Sequence, residues 1–282
     1  MDTNYLFYIV FLSQLLLLSY YYPKKIAKRI TLLLQDFPPS TYPKLYPQSE
    51  ASLRAGQQIF KWLNVAFLLI GSALLVLLIY LFELDLKTSS KLAFVPMAFG
   101  LLQGIPYFLL EVSNCKQLKL MRKLNTQTKR QADLAPRHLF SFISPVKVFS
   151  AVVLFITCVL SLLSFEHFIL SSDLMVLLGS MLLSNGLFVF ITIKLLYGKK
   201  LDPHQSSSDR AKVISANLNS FVYMSLLISI YFILNKSVDA FNWQSVEIIL
   251  NSLYWQFVIF LSVGSLLRGT RANDINFEVY RA

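Results

Sequence analysis

Charge is what this sequence has least of. Asp, Glu, Lys and Arg make up 15% of its 282 residues, where a soluble domain carries about 25%. A conventional soluble globular protein is thereby excluded. Cysteine is nearly absent. Cys115 and Cys158 show no C-x-x-C or metal-ligand spacing, which argues against a disulfide scaffold and a cysteine metal site. Histidine is limited to His138, His167 and His204. That is too few, and too dispersed, for the several histidines that an intramembrane zinc hydrolase needs near a carboxylate. There is no Walker glycine loop, H-E-x-x-H helix or G-x-S-x-G elbow. No catalytic residue, metal ligand or cofactor site is therefore expected.

Carboxylates are also missing from the interiors of the apolar runs. Of the 15 acidic residues, Glu83, Glu111 and Glu247 come nearest, and all three sit at run ends. A proton-coupled pump would hold a carboxylate closer to the midplane. The last apolar run, 248–267, contains no lysine, so a retinal Schiff base has no attachment point.

What the sequence does have is apolar length. Hydrophobic residues make up 55% of the chain and gather into runs at 4–22, 63–82, 92–110, 146–165, 174–196, 213–234 and 248–267. Each matches the ~20 residues that a helix needs to cross the hydrocarbon core. The expected fold is all-α: a polytopic membrane protein in which residues 1–282 form a single bundle of seven transmembrane helices. The runs are continuous, without the alternation of a transmembrane β-barrel. The first run is followed at once by Lys24, Lys25, Lys28 and Arg29. That is the reverse of a secretory signal, so this run is expected to remain as a span.

Basic residues set the orientation. Segments 23–62, 111–145, 197–212 and 268–282 carry 21 of the 26 Lys and Arg, and the segments on the other side carry 3. By the positive-inside rule the N-terminus lies outside and the C-terminus in the cytoplasm. Lys147 and Lys194 lie near the inner ends of their spans and are expected to snorkel to that interface. The net charge of +11 sits beside apolar spans and not in a polar domain. The expected partners are therefore membrane lipids with anionic headgroups and a membrane or cytoplasmic protein, not nucleic acid. Short loops and termini fit a plasma membrane, specifically a bacterial inner membrane.

Within the third span, Pro96, Gly100, Gln103, Tyr107 and Glu111 recur at helical spacing and place small and polar groups on one face. Gly100 and Gly104 form a small-xxx-small pair that would let a neighbouring helix backbone approach. The chain is expected to be organised around this helix. Gln103 is the member most worth testing for function, because Pro96 and Pro106 free backbone carbonyls nearby. Further polar candidates for packing or for lining a pore are Asn185, Asn217 and Asn251, with Ser180, Ser184, Ser220, Tyr254 and Ser262. For each of them an interhelical hydrogen bond is the plainer role.

The inner segments carry the distinctive residues. Proline-rich 38–47 is expected to be a loop, followed by a helix that Ser49 caps and that runs into the second span. After the third span, Leu118, Met121 and Leu124 alternate with Lys116, Lys119, Arg122 and Lys123. This is a basic amphipathic extension suited to anionic headgroups, though topology alone would select the same residues. Asp202, His204 and Asp209 form the one polar cluster that resembles a site, with turn formation and helix capping by Asp209 as the bland alternative. Finally, Lys44-Leu45-x-Pro47 with Arg54-Ala55 recurs as Lys200-Leu201-x-Pro203 with Arg210-Ala211. The match would fit a parallel repeat, or arise by chance.

Three functional readings follow. The first is an accessory, regulatory or scaffold subunit acting through its basic cytoplasmic loops. The second is a transporter or channel for a small uncharged solute, lined by polar residues of helices three, five, six and seven. The third is an enzyme acting on lipid headgroups at the inner face through His138, Asp202, His204 and Asp209.

Overall fold

A computed structural model describes residues 3–83, 90–125, 138–270 and 274–281. The connection at 84–89 and the stretch 126–137, with Arg137, lie outside the described residues, as does the side chain of Glu83. Every regular element that is described is helical, and seven helices are long and apolar enough to cross a membrane. The first is α1 (Thr3–Leu16), continued through a π-helical turn (Leu17–Tyr21) into α2 (Tyr22–Asp36). Then follow α3 (Glu50–Glu83), α4 (Ser90–Leu124), α5 (Pro145–Phe165), α6 (Ser172–Tyr197) and α7 (Ser207–Ala240). The last crossing is α8 (Gln244–Leu261), which passes through Ser262 into α9 (Val263–Gly269).

Several helices outrun their apolar runs. α3 and α7 have 34 residues each and α4 has 35. Hydrophobicity marks only the lipid-buried part of a helix, whereas the backbone hydrogen-bond ladder continues into the polar interface. The first span shows this most clearly. Beyond the apolar run at 4–22 the helix continues to Asp36.

Pro23 lies within this continuous helix. It has no N–H, and its ring crowds the carbonyl four residues back, so it reads as a stop. The chain widens instead into the π turn, where the Tyr22 N–H bonds the Leu17 carbonyl five residues back. The next carbonyl, of Leu18, would need the N–H that Pro23 lacks. The Tyr107 hydroxyl of α4 supplies a donor at 2.5 Å. A local π insertion is thus satisfied by a neighbouring helix.

The first span is also the most enclosed. Of its candidate spanning stretch 39% is buried, against 28% for that of α4. The chain is therefore organised around the first helix as much as the third. Phe7, Phe11, Gln14, Leu15, Leu18, Ser19, Tyr22 and Ile26 form its buried stripe, at the spacing of one helical face. Phe7, Phe11 and Leu15 pack with Leu75 and Leu78 of α3, Phe99 of α4, and Ile248 and Ile249 of α8.

A second core joins α5, α6 and α7 through Cys158, Leu162, Leu174, Met181 and Ile228. α7 packs against both α5 and α8 and so ties the two groups together. α6 lies at the edge, with Leu182, Leu183, Val189, Phe190 and Ile193 exposed. Such a surface is matched to lipid tails, which are as apolar as leucine.

Candidate functional site

Gln103 is enclosed between α1 and α4. It is 1% exposed, and Gln14 is 0% exposed. The Gln14 amide nitrogen donates to the Gln103 side-chain oxygen at 3.1 Å and to the Pro96 carbonyl at 3.2 Å. The Gln103 amide nitrogen donates to the Ser19 hydroxyl at 2.8 Å. The side-chain oxygen of Gln14 is buried without a hydrogen-bond partner. The carbonyl engaged is that of Pro96 itself, not one of those freed by the missing proline N–H groups. Gln14 and Ser19 were not singled out in the sequence. The signal was there, since they share a helical face with Phe7, Phe11 and Leu18.

The two glycines of α4 differ. A Cβ on Gly100 would lie 2.2 Å from the Trp255 ring of α8, whereas a Cβ on Gly104 would meet nothing. The expected small-xxx-small contact between backbones does not form. An indole occupies the Gly100 notch, and its N–H donates to the Met97 carbonyl at 3.0 Å.

The remaining polar residues divide between helix contacts and carbonyls of their own helices. Asn185 accepts from the Ser225 hydroxyl at 2.5 Å, between α6 and α7. Asn251 accepts from the Tyr231 hydroxyl at 2.7 Å, between α7 and α8. Asn217 donates to the Val213 carbonyl of its own helix at 2.8 Å. Ser180, Ser184 and Ser262 also bond back to carbonyls of their own helices. Asn185 and Asn251 serve separate interfaces, and the others are engaged within their own helices.

The basic segments do meet. The α4 extension exposes Lys116, Lys119, Arg122 and Lys123 and buries Met121. Leu124, expected on the same apolar face, is 64% exposed. Gln117 donates to the Leu45 carbonyl at 3.1 Å, and Arg122 donates to the Lys200 carbonyl. Across this face runs the chain's C-terminal segment, 274–281. Its Phe277 and Tyr280 are buried with Tyr42 and flanked by Leu33, Phe37 and Leu45.

This segment accounts for the Asp202, His204 and Asp209 cluster. The Tyr280 hydroxyl donates to Asp202 at 2.5 Å, and its ring meets that of His204 edge-on at 6.1 Å. Asp209 is buried and accepts the Asn276 N–H at 3.1 Å and the Ser206 hydroxyl at 2.7 Å. Ser206, not Asp209, is the N-cap of α7, and it accepts the Asp209 N–H at 3.1 Å. Asp209 of this Ser-x-x-Asp cap thus also anchors the tail. From the other side, the Tyr42 hydroxyl donates to Glu278 at 2.9 Å and Lys44 donates to the Arg281 carbonyl at 2.6 Å. The two similar segments around Lys44 and Lys200 therefore hold the same tail from opposite flanks. Burial and nearby Lys44 push the His204 imidazole below its usual range against the opposing pull of Asp202, with burial the larger cause. Burial and the Asp202 carboxylate push the Tyr280 phenol well above its own range.

Beside the tail opens a cavity of about 620 Å³. Ser141 and Phe142 line it before α5, and Lys147 lines it from α5 itself. α7 contributes Ala211, Lys212, Ser215, Ala216, Asn219 and Tyr223, and Ser265, Arg268 and Gly269 come from α9. Lys147 donates to Asn219 at 2.7 Å and to the Tyr223 hydroxyl at 3.0 Å. Arg268 lies over the Phe260 ring at 4.6 Å. No carboxylate is among these lining residues. The sequence pointed to Lys147 only as a snorkelling residue. Bringing it beside Lys212 and Arg268 took three helices far apart in the chain.

Comparison with protein families, curated proteins and solved structures finds no match for this chain.

Proposed function

We propose that this chain is an accessory, regulatory or scaffold subunit of a plasma membrane, acting through its basic face. In this reading the N-terminus is outside, the basic face is cytoplasmic, and the membrane is a bacterial inner membrane. The 21-to-3 partition of Lys and Arg supports the orientation. One observation carries the functional reading. The polar side chains within the spans are engaged in separate helix contacts or with carbonyls of their own helices, while the basic end bears a cavity and an anchored tail. The reading is tested by extracting the full chain in mild detergent and identifying what co-purifies. A partner whose recovery falls when Lys116, Lys119, Arg122 and Lys123 are replaced by Gln supports it. A protein that is solitary under every mild extraction condition refutes it. Reporter fusions at each terminus test the orientation.

A second reading, a pathway for a small uncharged solute, draws support from the unpartnered Gln14 side-chain oxygen beside Gln103. Its test is flux through the Gln103→Leu protein, where unchanged transport of an identified solute removes this site. An enzyme acting on lipid headgroups draws less support, because Asp202 and Asp209 are engaged by the tail.

A further inference from the structure

We infer that the cavity between α5, α7 and α9 binds a phosphate-bearing anion, the headgroup of an anionic lipid or a soluble phosphate ester. The inference extends the reading of the basic face as the working surface by naming a ligand. It stands or falls separately from the presence of a protein partner.

The argument begins with charge. Lys147, Lys212 and Arg268 converge on one recess with no acidic lining residue. Like charges gathered at the end of an apolar bundle repel one another, and an anion in their midst relieves this. Of the three, Lys212 has a carboxylate partner, Asp209 at 3.9 Å, and it also donates to the Asp274 carbonyl at 2.5 Å. Asp209 already accepts from Ser206 and from the Asn276 N–H, so it is a poor counter-ion for all three.

Donor capacity points the same way. The Lys147 ammonium spends two of its three N–H groups, on neutral Asn219 and Tyr223, which leaves one for a ligand. Its partners are an amide oxygen and a phenol, so the ammonium is held in place without being neutralised. Arg268 stacks on Phe260 and has no recorded hydrogen bond to another described residue. Its planar fork is suited to paired phosphate oxygens. The hydroxyls of Ser215 and Ser265 also line the recess and can donate to the same group.

Size and place narrow the ligand. At about 620 Å³ the recess exceeds a lone phosphate and falls in the range of small-molecule sites. It lies where the apolar spans give way to the basic segments, and basic recesses between membrane helices are suited to lipid headgroups.

The test uses the full chain in nanodiscs of phosphatidylcholine, titrated with short-chain phosphatidylglycerol in one arm and with glycerol phosphate in the other. Thermal unfolding and native mass spectrometry report binding. We expect a saturable, salt-sensitive stabilisation in at least one arm, with apparent affinity about tenfold weaker in Lys147→Gln and in Arg268→Gln. Lys61→Gln and Lys199→Gln, exposed and outside the cavity, should bind as the parent does. Binding in the lipid arm alone assigns a lipid headgroup. Competition by glycerol phosphate assigns a soluble ester. Equal weakening by all four substitutions, or no binding in either arm, overturns the inference. Arg268 is exposed, so its variant tests the site even if Lys147→Gln fails to fold. A solitary protein that still binds would refute the accessory-subunit reading and leave this one intact.

Discussion

The hydroxyl of Tyr280 donates to the carboxylate of Asp202 at 2.5 Å, joining the C-terminal segment to the turn that precedes α7. Around this bond Phe277 of the tail is buried against Phe37 and Tyr42, with Phe37 and Phe277 rings 4.2 Å apart. A hydrogen bond to a charged group contributes about 1.5–3 kcal/mol. Tyr280→Phe should therefore release the tail about tenfold or more often while leaving the seven helices intact. Limited proteolysis followed by mass spectrometry checks this, with faster cleavage within 274–281 as the expected result.

The same contact should respond to pH through His204, whose imidazole is held below its usual range by burial and by Lys44. A base that binds its proton less readily when docked than when released favours docking above its released pKa, near 6.5. That preference is lost as pH falls through the docked value. Acidification below about pH 6.5 should therefore loosen the tail, and His204→Gln should flatten the response. Proteolysis rates measured across pH 5 to 8 decide the matter. A parent profile as flat as that of the variant would remove His204 from this role.

Gln103 and Gln14 should behave as a unit. Gln103→Leu leaves the Gln14 amide and the Ser19 hydroxyl short of a partner inside the bundle, at a cost of about 1–3 kcal/mol. Replacing both glutamines by Leu removes the orphaned amide with its partner. The double variant should then be more stable than Gln103→Leu alone, against the additive expectation for independent sites. Unfolding in a fixed detergent, run as a double-mutant cycle, provides the comparison.

Gly100 and Gly104 should separate sharply. Gly100→Ala drives a methyl into the Trp255 ring, and such overpacking costs about 1–3 kcal/mol. Gly104→Ala meets open space and gains up to about 1 kcal/mol of helix propensity. Thermal midpoints of the two variants should therefore fall on opposite sides of the parent. A shared loss would mean that both glycines serve a close approach.

Much of the candidate site was legible as a set of residue types, but its grouping was not. Gln103 stood out because an amide in an apolar run must find a partner. Gln14, an amide in an equally apolar run, proved to be that partner. The Asp202 cluster was visible, but its purpose depended on a tail some seventy residues further along the chain. The cavity was the least legible, since Lys147, Lys212 and Arg268 belong to three separate segments and each has an ordinary role as an interfacial cation.

By itself the sequence determined the helical class, the seven membrane-length helices and the segregation of charge. These follow from local length and composition, because hydrocarbon admits few polar groups and requires each backbone to satisfy its own hydrogen bonds. Tertiary structure alone decided which helix is enclosed, that Gly100 receives an indole, and that the tail crosses the basic face. A leucine facing lipid and a leucine facing another helix are equivalent in sequence, since both environments are apolar. Only packing distinguishes them, and only packing brings three distant cations to one recess.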